Sequence, residues 1–410
     1  DFCLSRGLGD VYKRQPLRGQ PAHHLLIAMA MFSKSPLRPA IAHTAGLANN
    51  PGAVEEGLAQ LRRLSLISQQ EERYGMLPLT REYALAELAA YPIFEQEARE
   101  RWVAWYLKFV EQYGGKDWKE WHIQFDHIEE EWENLLAVFD WCAAHERYQE
   151  MRTFWLAGGV NWFAYIYGYY WDDRLTCLTW IIQAAERRGD WATVVEAMAE
   201  KGHTLTLTEQ LEEADATLKG AWDLHEHANV KVQVKVAENI ARLRTYQKQY
   251  TEALFWLNQT RVLRDIASFD ETERIRRQLV DRNYHGRIYY EMQDYAQAQH
   301  YFREVVENAQ SIGFDRGLAY ALRYLAEIAI SQGSFDEAES LLMMGLTTSE
   351  RNKDKRRTAF YEKSLTDLYI GWKKMSEVRR WALKAHDDFE RLGMQRETEE
   401  MLALLQELER

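Results

Sequence analysis

The stretch GRIYYEMQDYAQAQHYF, residues 286–302, contains the pattern that decides the fold of this chain. Within it, the large residue Tyr295 is followed three positions later by the small Ala298 and seven positions later by the apolar Phe302. Residues at these spacings share one face of an α-helix. Gly286 occupies a similar small-residue position ahead of the turn, so the stretch predicts two antiparallel helices joined by a short turn.

The same pattern recurs six times at a nearly constant period. Its copies begin at residues separated by 41, 39, 45, 40 and 40 positions, which are Tyr170, Leu211, Tyr250, Tyr295, Phe335 and Met375. This period is typical of helical repeats, in which each unit buries its apolar face only against its neighbours. We expect these six residues to pack the repeats together with small residues, namely Ala214, Ala253, Gly286, Ala298 and Ala338.

Two copies resemble tetratricopeptide repeats most clearly. One is the copy quoted above, and the other reads Gly333-Ser-Phe335-Asp-Glu-Ala338 with Leu342. The resemblance implies that residues 151–410 form a TPR-like α-α superhelix. In such a pair of helices, the turn aromatic fills the gap between them and the small residue lets their backbones approach closely.

Composition supports a folded, mainly helical chain. Of the 410 residues, 46% are hydrophobic and 13% aromatic, which is ample for continuous burial. No proline follows Pro92, so the strongest helix breaker is missing from the rest of the chain.

A net charge of −12 disfavours a general nucleic-acid role. Cys142 and Cys177 show no paired spacing, and a reducing cytoplasm fits them best.

The first fifteen residues are predicted to be a sequencing-adapter artefact. Ser5 to Gln15 (SRGLGDVYKRQ) back-translates without a break onto a transposon-based sequencing adapter, and residues 1–4 lie upstream of it. We therefore expect a metagenomic fragment whose natural sequence starts near Pro16 and whose parent extends further toward the N-terminus.

Shorter elements are predicted between Pro21 and Leu88. Helices are expected at 24–32, 38–45, 54–64 and 79–88, and two alternating strands, 66–69 and 74–77, flank a polar turn. Three helices followed by a hairpin predict a winged-helix subdomain over 16–92, which a helical linker over 93–150 joins to the repeats. The predicted fold class is mainly α, with a winged-helix subdomain followed by an α-α superhelix (TPR-like solenoid).

Several motifs in this part resemble the winged-helix subdomain of NB-ARC/STAND signalling ATPases. These are Leu61-Arg-Arg-Leu-Ser-Leu-Ile67, Tyr74-Gly-Met-Leu-Pro-Leu79 and Arg81-Glu-Tyr-Ala84. Ile128-Glu-Glu-Glu-Trp-Glu-Asn-Leu-Leu-Ala137 with Trp141 resembles the helical segment that links this subdomain to a TPR-type sensor in bacterial members. The chain is therefore similar to the C-terminal part of such an ATPase.

The resemblance also implies a degenerate nucleotide-sensing strand. In the family, a histidine on the second wing strand contacts the nucleotide phosphates. Leu77 stands at that place here, between Met76 and Pro78, and its side chain cannot donate a hydrogen bond.

By this resemblance, the chain is a sensor and scaffold that binds a protein, peptide or small ligand through its repeats and thereby controls an upstream nucleotide-binding domain. ATP or ADP with Mg belongs to the parent, and we expect no cofactor in this part. Oligomerisation on activation is implied, whereas a membrane partner or direct nucleic-acid contact is not expected. Two alternatives stay open: a transcriptional regulator of the ATPase-plus-TPR type, and a TPR adaptor without nucleotide control.

Candidate ligand-binding residues follow from the repeat register, because the middle of each first helix faces the groove. These positions are Arg242, Tyr246, Asn283, Arg287, Tyr290, Tyr320 and Arg323. The three arginines form a cationic row suited to the carboxylate or phosphate groups of an acidic partner. The alternative is that they pair with the neighbouring Glu238, Glu291 and Glu327.

No catalytic or metal site is expected in this chain. Nowhere do two glycines at the required spacing precede Lys-Ser or Lys-Thr, so the sequence lacks a phosphate-binding loop and predicts no enzyme. The acidic run at 129–131 with Glu133 is expected to be a solvated helix face, because successive helical positions point in different directions. Twelve scattered histidines do not suggest a metal site.

Overall fold

The computed structural model describes residues 17–114, 121–157, 160–167 and 170–408. The predicted adapter segment, residues 1–15, lies outside the described residues. The chain divides into two compact units. Unit 1 comprises residues 1–115 and 124–160, and unit 2 comprises residues 116–123 and 161–410.

Unit 1 begins with three short helices, a two-stranded antiparallel hairpin and a fourth helix. In order, these are α1 (Pro21–Met29), α2 (Arg38–Thr44), α3 (Pro51–Arg63), β1 (Ile67–Gln70), β2 (Arg73–Met76) and α4 (Pro78–Ala89). The strands pair from Ile67 opposite Met76 to Gln70 opposite Arg73. This order of elements agrees with the prediction. The winged-helix assignment over 16–92 stays a prediction, as do the bounds of the linker and of the repeat region.

Two longer helices follow α4 and form most of the rest of unit 1. They are α5 (Pro92–Gly114) and α6 (Trp121–Ala144), followed by the short α7 (Tyr148–Arg152) and a π-helical turn (Thr153–Ala157). From Pro92 onward, the described residues contain no β-strand, as the absence of proline predicted.

Leu77 lies at a different place from the one expected. The second strand ends at Met76, and Leu77 is the extended N-cap residue of α4, with φ −66° and ψ 146°. Pro78 explains this placement, because proline is favoured at the first position of a helix and pushes the residue before it into extended backbone. The Leu77 side chain is 66% exposed.

Glu131 also departs from the expected solvated face. It is only 5% exposed, and its carboxylate accepts hydrogen bonds from the Tyr106 hydroxyl at 2.6 Å and the Asn134 amide at 2.8 Å. The Arg73 guanidinium of β2 pairs with it at 2.7 Å. This buried network ties the hairpin to α5 and α6, and a carboxylate is tolerated there because every partner is a donor.

Unit 2 consists of helices arranged in a repeat-like superhelix. They are α8 (Val160–Tyr167), α9 (Trp171–Glu186), α10 (Trp191–Leu207), α11 (Leu211–Asp223), α12 (Val230–Tyr246), α13 (Tyr250–Ile266), α14 (Glu271–Glu291), α15 (Tyr295–Ile312), α16 (Asp315–Ser331), α17 (Phe335–Arg351), α18 (Lys355–Gly371), α19 (Met375–Arg391) and α20 (Gln395–Leu408). A short 3-10 turn, His225–His227, precedes α12. Each even-numbered helix from α10 to α18 is the first helix of a hairpin and packs against the odd-numbered helix that follows it.

The six pattern residues mark the starts of the second helices. Five of them are the first residue of α11, α13, α15, α17 or α19, and Tyr170 is the N-cap residue of α9. Two positions ahead of five of these residues the backbone is left-handed, at Glu209, Lys248, Gln293, Gly333 and Lys373, with φ between 57° and 74°. A left-handed residue ends the first helix and redirects the chain into the second. The repeat period in the sequence is therefore the period of these turns.

Small residues lie where the two helices of a hairpin cross. Ala214, Ala253, Ala298 and Ala338 are all fully buried. A Cβ atom built on Gly286 would lie 2.7 Å from the ring of Phe302, so this position accepts only glycine without movement of that ring. Close packing of this kind leaves no space for a larger side chain.

Two units depart from the pattern. The position three residues after the start holds Asp173 in the first copy and Val378 in the last, where the other copies have alanine. Met375 begins α19 but is 55% exposed, so it does not fill the gap between its helices. In the same turn, the ring of Trp372 stacks on that of Phe335 at the start of α17, with centroids 5.9 Å apart.

None of the described helices is sufficiently long and apolar to cross a membrane. Both Cys142 and Cys177 are buried and form no disulfide.

The helix crossing at Ala298 leads to a stability prediction. The variant Ala298→Leu forces extra methyl groups into a filled space and is expected to lower the free energy of unfolding by about 1–3 kcal/mol. Ala296→Leu on the same helix is the matched control, because residue 296 is exposed and a change of less than about 0.5 kcal/mol is expected there. Guanidinium chloride titration followed by circular dichroism measures both. Equal losses in the two variants would contradict the packing described.

Candidate functional site: an arginine-lined lumen

Two cavities open on the inner side of unit 2, where the first helices of successive hairpins face one another. The first cavity has a volume of about 150 Å³ and is lined by α8, α10, α12, α14, the start of α16 and Arg357 of α18. The second has a volume of about 360 Å³ and is lined mainly by α12, α14, α16 and α18. Arg316, Tyr320 and Arg357 line both, so we call the two cavities together the lumen.

Six of the seven predicted groove residues line this lumen. Arg242 and Asn283 line the first cavity, Tyr246, Arg287 and Arg323 line the second, and Tyr320 lines both. Tyr290 does not line either cavity. Its ring packs against Tyr295 at 5.8 Å and against Tyr324 at 5.0 Å, because at this position the first helix faces its own hairpin partner and the next repeat.

Each predicted arginine stacks on an aromatic ring of the lumen. The guanidinium carbon of Arg242 lies 4.9 Å from the centre of the Tyr284 ring, and that of Arg287 lies 4.4 Å from Tyr246. Arg323 lies 4.5 Å from Tyr324. Cation–π contacts hold a guanidinium in a defined orientation without neutralising its charge.

The arginines differ in whether a carboxylate neutralises them. Arg323 forms an ion pair with Glu327, and Arg287 lies 3.7 Å from Glu291, as the alternative reading expected. The third expected pair does not form, because Glu238 pairs with Arg277 at 2.9 Å.

Arg242 is held by neutral groups instead. Its guanidinium donates hydrogen bonds to the Asn239 side-chain oxygen at 3.3 Å and to the Tyr284 hydroxyl. Arg242 therefore keeps a positive charge that can be directed at a ligand in the first cavity.

Further cations lie at the first turns of α16 and α18. Arg316 and Arg357 lie 3.0 Å and 3.7 Å from the same carboxylate, that of Asp354. Arg356 is adjacent and lines the second cavity. These residues were not predicted from the sequence, because the repeat register pointed to the middle of each first helix and they lie in the first turns. The same period of about 40 residues, applied to the first turns, is the signal that identifies them.

An ionic network lies next to the first cavity, which two of its members, Glu200 and Lys235, line. The Arg174 guanidinium, 2% exposed, donates to Glu200 at 2.6 Å and to Asn161 at 2.8 Å, and Lys235 pairs with Glu200 at 2.8 Å. Burial alone would raise the pKa of Glu200, but Lys235 and Arg174 outweigh it and lower the pKa to about 2. The glutamate therefore stays ionised and keeps both cations in place.

Tyr165 and His203 lie within the field of these arginines. Their rings are 4.9 Å apart, and the guanidinium carbon of Arg316 lies 4.5 Å from the Tyr165 ring centre. Burial would raise the pKa of Tyr165, but Arg316, Arg242 and their neighbours lower it to about 8. Burial and Arg242 both lower the pKa of His203 well below its ordinary value, so this imidazole is neutral near pH 7. The lowered pKa of Tyr165 reflects the positive charge of the surrounding arginines, whereas burial is the main cause of the shift at His203.

The remaining predicted site residues lie in unit 1. Met76 ends β2, and Leu77 and Pro78 are exposed at the start of α4. Within the described ranges, no group of three or more histidine, cysteine, aspartate or glutamate side chains is arranged to hold a metal ion.

Comparison with known proteins identifies one family model and several distant structural similarities. Residues 279–351 match the tetratricopeptide repeat family. No curated protein matches this sequence. One similar structure is a Signal Transduction ATPase with Numerous Domains (STAND) protein with a tetratricopeptide repeat sensor from Pyrococcus horikoshii, at 15% identity and a TM-score of 0.42. The match covers 95% of the present chain and 63% of that chain.

Two further structures show comparable similarity. A Rap protein complexed with Competence and Sporulation Factor has 12% identity and a TM-score of 0.43, covering 91% of the present chain and 95% of that chain. BtubC from P. vanneervenii has 12% identity and a TM-score of 0.41, and the match covers 53% of the present chain and 90% of that chain.

The field at Tyr165 gives a prediction that spectroscopy can check. Titration at 295 nm should contain a tyrosinate component with a midpoint at about pH 8, well below the ordinary tyrosine value. This component should be missing in Tyr165→Phe and should shift to higher pH in Arg316→Gln. Superimposable curves for the native protein and Tyr165→Phe between pH 7 and pH 9 would contradict the geometry described.

Proposed function

We propose that this chain is the sensor and scaffold part of a STAND-type regulatory ATPase. Its repeats bind an acidic protein, peptide or small ligand in the lumen, and this binding controls a nucleotide-binding domain located upstream in the parent protein. ATP or ADP with Mg is bound by that domain, and the parent oligomerises when activated. The chain itself acts by binding and carries out no reaction.

One observation carries the ligand-binding part of the proposal. In a chain with a net charge of −12, the lumen concentrates Arg242, Arg287, Arg316, Arg323 and Arg357 on the faces of α12, α14, α16 and α18. Guanidinium groups that line a concave surface raise the local concentration of anions and form forked hydrogen bonds with them. The family match over residues 279–351 covers most of α14 and all of α15, α16 and α17, and thus supports a repeat scaffold at this place.

The regulatory part of the proposal rests on the motifs of unit 1. The stretches 61–67, 74–79 and 81–84 belong to α3, the hairpin and the start of α4, which is the order of elements that the STAND resemblance implies. A ligand regulates such a protein by binding one of its conformations more tightly than the other. Determining the gene sequence upstream of this region tests this part: a phosphate-binding loop and a Walker B acid there support it, whereas their absence favours the adaptor and a helix-turn-helix favours the transcriptional regulator.

The ligand-binding part predicts how an acidic probe responds to Arg287→Ala. A fluorescein-labelled hexaglutamate peptide should bind the native protein, and Arg287→Ala should weaken binding by about tenfold or more, because a charge-assisted contact is lost. Fluorescence anisotropy at low and at high salt gives both affinities, and added salt should reduce the difference between them.

Arg282→Ala is the matched control for this measurement. Arg282 is on the same helix but is 43% exposed and pairs with Glu304 on α15, at 2.8 Å. Its replacement should leave the affinity unchanged. Unaltered binding in the alanine variants of Arg242, Arg287 and Arg323 would rule out the lumen as the binding surface.

A further inference from the structure

The first cavity contains polar atoms that the chain itself leaves without partners. Three side chains of its wall are more than nine-tenths buried, with exposed fractions of 8% for His203, 7% for Glu238 and 5% for Asn283. In the described part of the chain, no hydrogen bond reaches His203 Nε2, Glu238 Oε1 or Asn283 Oδ1. A buried polar atom without a partner costs about 1–3 kcal/mol, so three in one cavity indicate that donor groups from outside the chain complete them.

The same cavity also carries an excess of positive charge. Arg316 and Arg357 share the carboxylate of Asp354. Among the described residues, no carboxylate lies within 4.0 Å of the guanidinium of Arg242, which lines this cavity, or of Arg356, which lines the adjacent second cavity. Cations that are removed from water need a counter-charge, so an anionic group is strongly favoured at this place.

The shape of the cavity restricts the rest of the ligand. A volume of about 150 Å³ is sufficient for one six-membered ring. Trp162, Tyr284, Phe314 and Tyr320 line the space, and aromatic side chains suit a planar apolar group. A long polymer does not fit this volume. The adjacent second cavity provides room for any substituent of the ligand that extends beyond its ring.

We propose that the first cavity binds a small aromatic phosphate monoester, with its phosphate between Arg242, Arg316 and Arg357 and its ring against Trp162, Tyr284 and Tyr320. Donor groups on the ring, such as amino groups, bond to His203, Glu238 and Asn283. This inference rests on the proposed binding role of the lumen and names the chemistry of the ligand.

A phosphate fits the charge distribution better than a carboxylate does. At pH 7 a phosphate monoester carries a charge of about −1.5 to −2 and three acceptor oxygens, whereas a carboxylate carries a single charge and two oxygens. Three guanidinium groups from three different helices can each direct N–H donors at a tetrahedral group. The lowered pKa of Tyr165, which lines the same cavity, is consistent with this preference.

Isothermal titration calorimetry with phenyl phosphate tests the proposal, with benzoate as the monoanionic comparison. The full chain should bind phenyl phosphate at least about tenfold more tightly than benzoate. Arg242→Gln and Arg357→Gln should each weaken phenyl phosphate binding by about tenfold or more, since each removes one charged contact. Arg282→Gln, which alters an arginine outside the lumen, should have no effect. Thermal melts establish whether each variant is folded. If Arg357→Gln does not fold, Arg242→Gln alone provides the test.

The outcomes separate this inference from the proposed function. Absence of heat with phenyl phosphate, equal affinity for benzoate, or native affinity in both lumen variants would overturn the phosphate site. If the phosphate site fails in this way but hexaglutamate still binds and Arg287→Ala weakens that binding, the proposed function stands without the phosphate site. If phenyl phosphate binds as described but hexaglutamate does not, the acidic-peptide probe fails and the phosphate site stands.

Discussion

The close approach of the two helices within each hairpin is the constraint on which the rest of unit 2 depends. Fully buried alanines at 214, 253, 298 and 338 allow this approach. The contact between the two helices of a hairpin buries only part of their apolar surface. The rest of that surface must be buried against the next hairpin. Lateral stacking follows, and it turns the opposite faces of the first helices toward a common interior.

That interior contains charges that a hydrophobic core would not tolerate. Arg174, Glu200 and Lys235 form a buried ionic network, and a set of arginines stacks on tyrosine rings nearby. Replacing buried ion pairs by apolar side chains is often neutral or stabilising, so stability alone does not account for such a concentration of charge. A structural role requires pairing, whereas Arg242 in the first cavity is held by neutral groups. This surplus charge is the basis of the proposed binding role.

The sequence predicted the repeats well because turns and crossings are local. A left-handed residue, an apolar residue two positions later and a small residue three positions after that lie within a few positions of one another, as at Gln293, Tyr295 and Ala298. Arg242 and Arg287 were identified as lumen residues for the same reason, since helical periodicity fixes the direction of a side chain relative to the turn.

The remaining features depend on residues that are distant in the sequence, and local patterns do not reveal them. Tyr165, Arg316 and Arg357 approach one another only because successive hairpins stack, and Glu131 is buried because Arg73 of the hairpin reaches it. Met375 shows the converse, because it begins α19 where the repeat period predicted but its side chain is 55% exposed.

Amide hydrogen exchange across residues 171–408 tests the central claim most directly, namely that each hairpin is stabilised by its neighbours. The account predicts a graded profile. Protection should be greatest in α14 to α17, which have hairpins on both sides, and should fall toward α9 and α20 at the ends of the array. Uniform protection that is lost in a single step along the whole region would contradict it, because such behaviour belongs to one shared core.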